Sequence, residues 1–470
     1  MLARHRTALG TPLALLLATS TLAHAAQTRA FAITSDFSTG SLSVVSLDSR
    51  IATLDVEDLN ADAVSRWFGG YLFVVNRFGA DNVQVIGGAP SFDTFSQYSV
   101  GNGANPQDLV FASPLKAYVS RYGAASVLVV DPVTGAEVAA PISLAPLADS
   151  DGLPEMAHMI RVGRWLFVAC QRLTNFSPSN PSIVAVIDTQ TDLLVDVDPN
   201  TSGVQGITLA LRNPFSSFVF DRSRTRLLIG CSGSFSALDG GIEAIDPLGW
   251  TTLGVLVTEA ALGGEISDVA VRDGARGYAA VNSFSDGRVV PFSLVDGAVS
   301  PAIYTVPNGF GVPDFETNDR GELWVCRNTF ADPGLVVIRM ADEQVVAGPI
   351  STGLPPQSVT FDGATDAVLG APPVIASSGI ALSSPWPNPA RGVTRFTLRL
   401  PAAAIVSAEA FDAGGRRVAT LARGPRAAGE STLEWNLRES DGKIVHSGMY
   451  FVYLRVDDRD AGTRRVVILK

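Results

Sequence analysis

Histidine is nearly absent from this 470-residue chain. Four occur, and two of them, His5 and His24, lie at the extreme N-terminus. Only His158 and His446 stand beyond it, far apart in sequence. That scarcity excludes a metal centre built on imidazole, and no C-x-x-C, H-E-x-x-H or EF-hand loop takes its place. No G-x-S-x-G elbow, P-loop or dinucleotide fingerprint occurs either. Cysteine is limited to Cys170, Cys231 and Cys326, an odd and sparse set that excludes a disulfide scaffold and reads as small buried hydrophobes. A basic excess is also missing. With 35 Lys and Arg against 46 Asp and Glu, the net charge is -11 and the pI about 4.9. Such a chain gains nothing from releasing phosphate counterions, so nucleic acid is excluded as a partner and anionic membranes are disfavoured.

Long apolar runs are confined to the start. MLARHRTALGTPLALLLATSTLAHAA has a basic beginning, an apolar stretch from Leu13 to Leu17 and an Ala23-His24-Ala25 end. This is the pattern of a secretory signal peptide over residues 1–25. It is shorter than the ~20 apolar residues that cross a bilayer, and no later segment is long enough, so the mature chain is expected to lack a transmembrane span. Helical periodicity is absent from any long window after the leader.

What remains is strand and turn. The chain is 46% hydrophobic, with 44 Gly and 28 Pro, a globular and turn-rich composition. LFVVNRFGADNVQVI, from Leu72, overlays AYVSRYGAASVLVV, from Ala117, without a gap. The same sentence recurs in AFAITSDFSTGSLSVVSL, LFVACQRLTNFSPSNPSIVAVID, LLIGCSGSFSALDGGIEAID, YAAVNSFSDGRVVPFSL and LWVCRNTFADPGLVVIRM. The residues ending the first strand of each copy are Ser35, Asn76, Ser120, Cys170, Cys231, Asn282 and Cys326, spaced 41 to 61 apart. A repeat of that length written in strands is a β-propeller signature. A further strand precedes each copy after the first, and SVTFDGA (358–364) follows the last. Pairing SVTFDGA with AFAITSD would close seven four-stranded units into a ring without an open edge. The fold class expected is all-β: a seven-bladed β-propeller over residues 27–371 with a C-terminal Ig-like β-sandwich.

The hairpin AYVSRYGAASVLVVDPVTGAEV resembles the YVTN-type propeller repeat, with Ser120 where the repeat carries Asn, and the resemblance runs over about residues 31–365. Propellers of this look include binding modules, surface-layer proteins and lactonase-like enzymes. From residue 372 to 384 the chain is Pro- and Ser-rich and reads as a linker. Beyond it, PWPNPARGVTRFTLRLP, FDAGGRRVATLARG and AAGESTLEWNLRESDGKIVHSGMYFVYLRV are similar to FlgD-type Ig-like domains and to the C-terminal sorting domains of type IX secretion, over residues 385–470. That resemblance implies a module for export or surface attachment, with the sorting machinery as its partner, on a secreted or cell-surface protein.

One polar residue stands just ahead of each expected inner strand: Asp62, Asp108, His158, Ser217, Asp268, Asp314 and Ser358. Inner strands line the channel, so these should form a ring that could bind a ligand, with Glu155, Glu265 and Glu316 close in sequence. Clustered carboxylates repel unless a cation is shared. A metal, if any, would use Asp108, Asp268 and Asp314, and Ca²⁺ is the candidate cofactor outside the cell. Asp and Ser in such places also cap turns by accepting backbone amides, a purely structural use. Arg77 and Arg121 occupy equivalent turns, and Phe37, Phe78, Tyr122 and Phe284 are expected to pack between blades. The function expected is non-enzymatic binding or scaffolding of an extracellular ligand or protein. The alternatives are a metal-assisted hydrolase or lactonase-like enzyme and a structural surface-layer component.

Overall fold

The computed structural model describes residues 27–363 and 381–469, apart from short stretches at 89–90, 236, 308–310, 383–384, 386, 401–402, 413–415, 428, 440–441 and 457–458. The expected signal peptide, the turn at Gly414–Gly415 and most of the expected linker lie outside the described residues. Contacts divide the chain into two compact units, one ending at residue 367 and the other running from 368 to 470.

The first unit holds seven antiparallel sheets among the described residues. The second is built from Ala63–Phe68, Tyr71–Asn76, Asn82–Ile86 and Thr94–Ser99 in spatial order, and the third from Pro106–Ser113, Lys116–Arg121, Ser126–Val130 and Glu137–Ser143. Four more sheets repeat the plan, starting from the inner strands Met156–Val162, Val219–Asp221, Glu265–Asp273 and Phe315–Thr317. The fourth sheet carries one extra two-residue strand, Ile207–Thr208. Each sheet touches the next, and the last touches the first. Helix among the described residues is confined to Glu259–Leu262 and a 3-10 turn at Ala145–Leu147.

Each second strand is apolar throughout because both of its faces are covered. Leu72 and Val74 point into the cluster with Phe31 and Ile33, while Phe73 and Val75 point into the cluster with Leu109 and Phe111. The same alternation sends Leu323 and Val325 one way and Trp324 and Cys326 the other. A strand with period-two side chains and neighbours on both sides therefore reads as an unbroken apolar run. Outer strands face solvent and alternate with charge, as in Ala52–Leu59. All three cysteines are buried and free. Burial pushes the Cys170 thiol up to about 12 and raises those of Cys231 and Cys326 well above the ordinary range.

The first sheet closes the ring. Arg29–Ser35, Gly40–Ser46 and Ala52–Leu59 come from the N-terminal end, and Pro356–Phe361 supplies the inner strand. Ala30 pairs with Phe361, Ala32 with Val359 and Ile33 with Ser358. Asp362 locks the junction: its Oδ1 accepts from the Thr28 amide at 2.6 Å and the Arg29 amide at 2.8 Å, and its Oδ2 accepts from the Thr28 hydroxyl at 2.6 Å.

The second unit packs two sheets face to face. One runs Ala381–Leu382, Thr394–Leu400, Gly429–Trp435, and the other Arg417–Arg426, Ala404–Asp412, Gly448–Val456, Arg459–Ile468. Phe396, Leu398, Leu433 and Trp435 meet Val406, Ala410, Val452 and Val466 between them. Trp435 and Tyr450 cross edge to face at 5.4 Å. Ala381 and Leu382, expected in the linker, instead pair with Arg399 and Leu398.

Asp362→Ala should destabilise the first unit by about 2–4 kcal/mol, since hydrogen bonds to a charged acceptor contribute ~1.5–3 kcal/mol each and couple when they share an atom. Chemical denaturation followed by tryptophan fluorescence checks it, with Asp362→Asn keeping part of the loss at bay.

Candidate functional site

Inner strands bring polar side chains to the axis of the first unit. Asp108, on Pro106–Ser113, is fully buried. Its Oδ1 accepts from its neighbour's amide, Leu109 N, at 2.8 Å and lies 3.0 Å from Arg66 Nη2. Its Oδ2 accepts from Met159 N of the next sheet at 2.8 Å and lies 3.6 Å from His158 Nδ1. Burial opposes the charged form, but Arg66, His158 and the Met159 amide outweigh it and hold the carboxyl near 2. Both oxygens of this carboxylate are thus engaged by the protein, while His158 Nδ1 is buried without a hydrogen-bond partner.

Asp268 and Asp314 behave differently. Asp268 Oδ2 is 3.4 Å from Phe315 N, and Asp314 Oδ2 accepts from Val359 N at 2.7 Å, each amide belonging to the following sheet. Burial, and then the negative Asp314 beside it, pushes Asp268 well above the carboxylate range. Burial raises Asp314 as well, against the Val359 amide and the charges of Arg66 and His158. Asp268 Oδ1 is buried without a hydrogen-bond partner, and so is Ser358 Oγ. Four of the seven sequence-predicted ring residues are thus linked electrostatically: Asp108 with His158, Asp268 with Asp314, and Asp314 with Arg66 and His158, while Ser358 lies on the closing strand Pro356–Phe361. Asp62 is turned aside: it ion-pairs with Arg77, whose Nε donates at 2.7 Å. Ser217 is half-buried, and its carbonyl accepts from Ser216 Oγ. Asp108, His158, Asp268 and Ser358 lie inside their strands rather than ahead of them, because pairing extends toward the mouth. Arg66 on Ala63–Phe68, the counter-charge of the axis, had no signal in the repeat.

The strand-end residues also stitch sheets together. Ser120 Oγ donates to Ala157 O at 2.7 Å, Asn282 Nδ2 to Val312 O at 3.1 Å and Asn328 Nδ2 to Pro356 O at 3.2 Å, each across to the next sheet. Buried Glu259 accepts from Gly240 N at 2.9 Å and from Ile266 N of the sixth sheet at 2.8 Å.

The turns between second and third strands share the mouth where the inner strands begin, since Arg77 N bonds Asp62 O and Tyr122 N bonds Asn105 O. Every one of the seven carries an aromatic: Phe37, Phe78, Tyr122, Phe176, Phe235, Phe284 and Phe330. Phe78, Phe176 and Phe284 are 77%, 81% and 98% exposed. Phe37, Phe235 and Phe330 are also exposed, and Tyr122 is half-buried. Phe37 and Phe330, from neighbouring sheets, have centroids 6.4 Å apart. The expectation that these turn aromatics pack between sheets is therefore corrected for Phe78 and Phe284, while Phe37 meets Phe330 of the neighbouring sheet and Tyr122 is half-buried. These residues sit past the last ladder pair, where the chain turns out of the interface. The lead-in to the fourth sheet adds Asp149, Asp151 and Glu155, whose ligand oxygens lie within 4.8 Å of one another. Burial, then Asp151, pushes Glu155 up to about 8. Glu155 was noted in the sequence, but its partners in ADSDGLPE were not.

No family model matches the chain, and no curated protein matches it in sequence. Solved structures do. A protein from Lactobacillus plantarum superposes with a TM-score of 0.52 at 12% identity, covering 71% of this chain and 99% of its own. The Dos1 propeller gives 0.47 at 11% identity, covering 69% and 81%. PorZ, a surface component of type IX secretion in Porphyromonas gingivalis, gives 0.43 at 13% identity, covering 92% of this chain and 64% of that one. The fold is a β-propeller. At such identities the likeness extends to architecture alone. This chain spans less than two thirds of PorZ. No helix of the described residues is long and apolar enough to cross a membrane.

The raised carboxyls fix the sign of the pH dependence. Between the ordinary value of 4.5 and about 8, folded Glu155 keeps a proton that the unfolded chain has released. Glu259, raised to about 7 chiefly by burial, does the same over a narrower window. Stability is thus fully present below pH 4.5 for these groups and is lost as pH rises through 8. Asp108, held near 2, works oppositely and gives up stability only in strong acid. The melting temperature should fall from pH 5.5 to 8, and Glu155→Gln should flatten that slope.

Proposed function

We propose that this chain is a secreted or cell-surface binding scaffold: a seven-bladed propeller of YVTN-like repeats that presents its aromatic mouth to a partner. A FlgD-type Ig-like domain over residues 385–470 directs export or surface attachment through the sorting machinery. The observation that carries the reading is the aromatic in each of the seven mouth turns, with Phe78, Phe176 and Phe284 mostly exposed. Isolated exposed apolar side chains are ordinary, whereas a repeated set on one face marks an interaction surface. The chemistry at the axis supports a scaffold over an enzyme. Asp108 is engaged by Arg66 and by two backbone amides, and burial shifts Asp268 and Asp314 toward their protonated forms. A carboxylate engaged by protein donors, or one shifted toward its protonated form, is a poor ready-made ligand for a metal.

A second reading keeps the axis as a cation site for a metal-assisted hydrolase, and the unpartnered Asp268 Oδ1 is what favours it. There Ca²⁺ would use Asp268 and Asp314, whereas Asp108 is already engaged by Arg66 and two backbone amides. Thermal unfolding of the full chain in EDTA, then in excess Ca²⁺, Mg²⁺ or Zn²⁺, separates the two. A ligand at about 100 times its dissociation constant adds ~2.7 kcal/mol to the folded state. The scaffold reading expects no shift, and a rise abolished by Asp268→Asn would put the metal reading first. The terminal module is tested by deleting residues 385–470 in the source cell and fractionating it. The shortened chain should be lost from the surface while full-length chain is retained there.

A further inference from the structure

We infer that the aromatic mouth takes a cationic polypeptide segment, one carrying several Lys or Arg side chains, and this rests on the reading of that mouth as the binding face. The face of a phenyl ring is negative and attracts a cation placed over it. Exposed rings at Phe78, Phe235 and Phe284 offer such faces around one opening. Several of the mouth's own arginines are engaged within the fold. Arg77 is held by Asp62, Arg172 donates to Pro181 O, and Arg327 is bound to Asp332 and Tyr304. Arg121 is consumed by Val100 O and Ser126.

Carboxylates at the same opening are left over. Asp149, Asp151 and Asp239 ion-pair with no Lys, Arg or His among the described residues, and Asp151 and Asp239 are exposed. The whole unit is of one sign. Residues 27–367 carry 19 Lys and Arg against 37 Asp and Glu, a net of -18, whereas residues 368–470 carry 14 against 9, a net of +5. A field of that sign steers cations toward the mouth and repels acidic chains. Rings alone would suit a neutral sugar equally well. Rings together with carboxylates that no ion pair offsets favour a partner that brings positive charge on side chains long enough to lie across them.

The full chain would be titrated against fluorescein-labelled nona-arginine, nona-glutamate and neutral dextran, read by fluorescence anisotropy. The variants are Phe78→Ala/Phe284→Ala, which alters two exposed side chains and no charge, and Phe95→Ala, an exposed aromatic on an outer strand. Nona-arginine should bind, weaken in high salt, and weaken by roughly fivefold or more in the double variant, in line with cation–π contributions. Phe95→Ala should leave it unchanged, and nona-glutamate should not bind. Equal affinity of wild type and double variant for nona-arginine would show bulk charge at work and overturn the inference. Binding of dextran without nona-arginine, lost in the double variant, would overturn it too while leaving the mouth as a binding face. Failure of all three probes would overturn the inference, and the scaffold reading would then stand or fall on its own surface and metal experiments.

Discussion

A ring of sheets has no free edge only while its last strand lies against its first. Here that condition is met by Pro356–Phe361 pairing with Arg29–Ser35, more than three hundred residues earlier. Such a contact brings a large loop-closure cost, so the junction must supply local enthalpy. Asp362 does this with hydrogen bonds to Thr28 and Arg29, and Trp324 and Phe361 seal the interface beneath it. Everything else in the first unit presupposes that closure, because each buried second strand needs a neighbour on both sides.

The same device recurs around the ring, and it gives the acidic composition a structural meaning. Asp81 accepts from Gly103 and Asn105, Asp108 from Met159, Glu259 from Ile266 and Asp314 from Val359. In each case a buried or half-buried carboxylate receives an amide belonging to the next sheet or its lead-in. These amides would otherwise be orphaned where one sheet gives way to another. A chain whose three cysteines are free and whose sheets share no strands uses carboxylates as its cross-links. Much of the negative charge of the unit is therefore architectural before it is functional.

That double use explains which parts of the molecule the sequence made legible. The second strands announced themselves because covering both faces turns period two into a continuous apolar run, as in Leu72–Val75 and Leu166–Cys170. Ring closure was legible from one unpaired strand at each end. The gathering of Asp108, Asp268 and Asp314 followed from the repeat, but their roles did not. Whether an aspartate accepts an amide 45 to 51 residues away depends on how adjacent sheets are offset, and no local pattern encodes that offset. Arg66 was invisible for the same reason: its partner sits on a different repeat. Phe78 and Phe284 were seen and misplaced. Alternation predicts which way a side chain points only while the strand lasts, and both lie beyond it.

The mouth combines stiffness with exposure, and the first follows from the second. An exposed aromatic contributes little to folding, so its position must be set by its flanks. Each flank is tied: Asn76 holds Asn60 N, Asn282 holds Val312, and Asp81 holds the lead-in at Gly103 and Asn105. The turns bearing Phe37, Phe78, Tyr122 and Phe284 are short, and some pass through positive φ, as at Gly79 and Phe37, which leaves few alternative paths for the backbone. Rings mounted on such turns lose little freedom when a partner arrives, which is the condition under which modest contacts add up to useful affinity. A surface left apolar by neglect would not be pinned in this way in two separate repeats. The stitching that closes the propeller is also what makes its mouth a preorganised face.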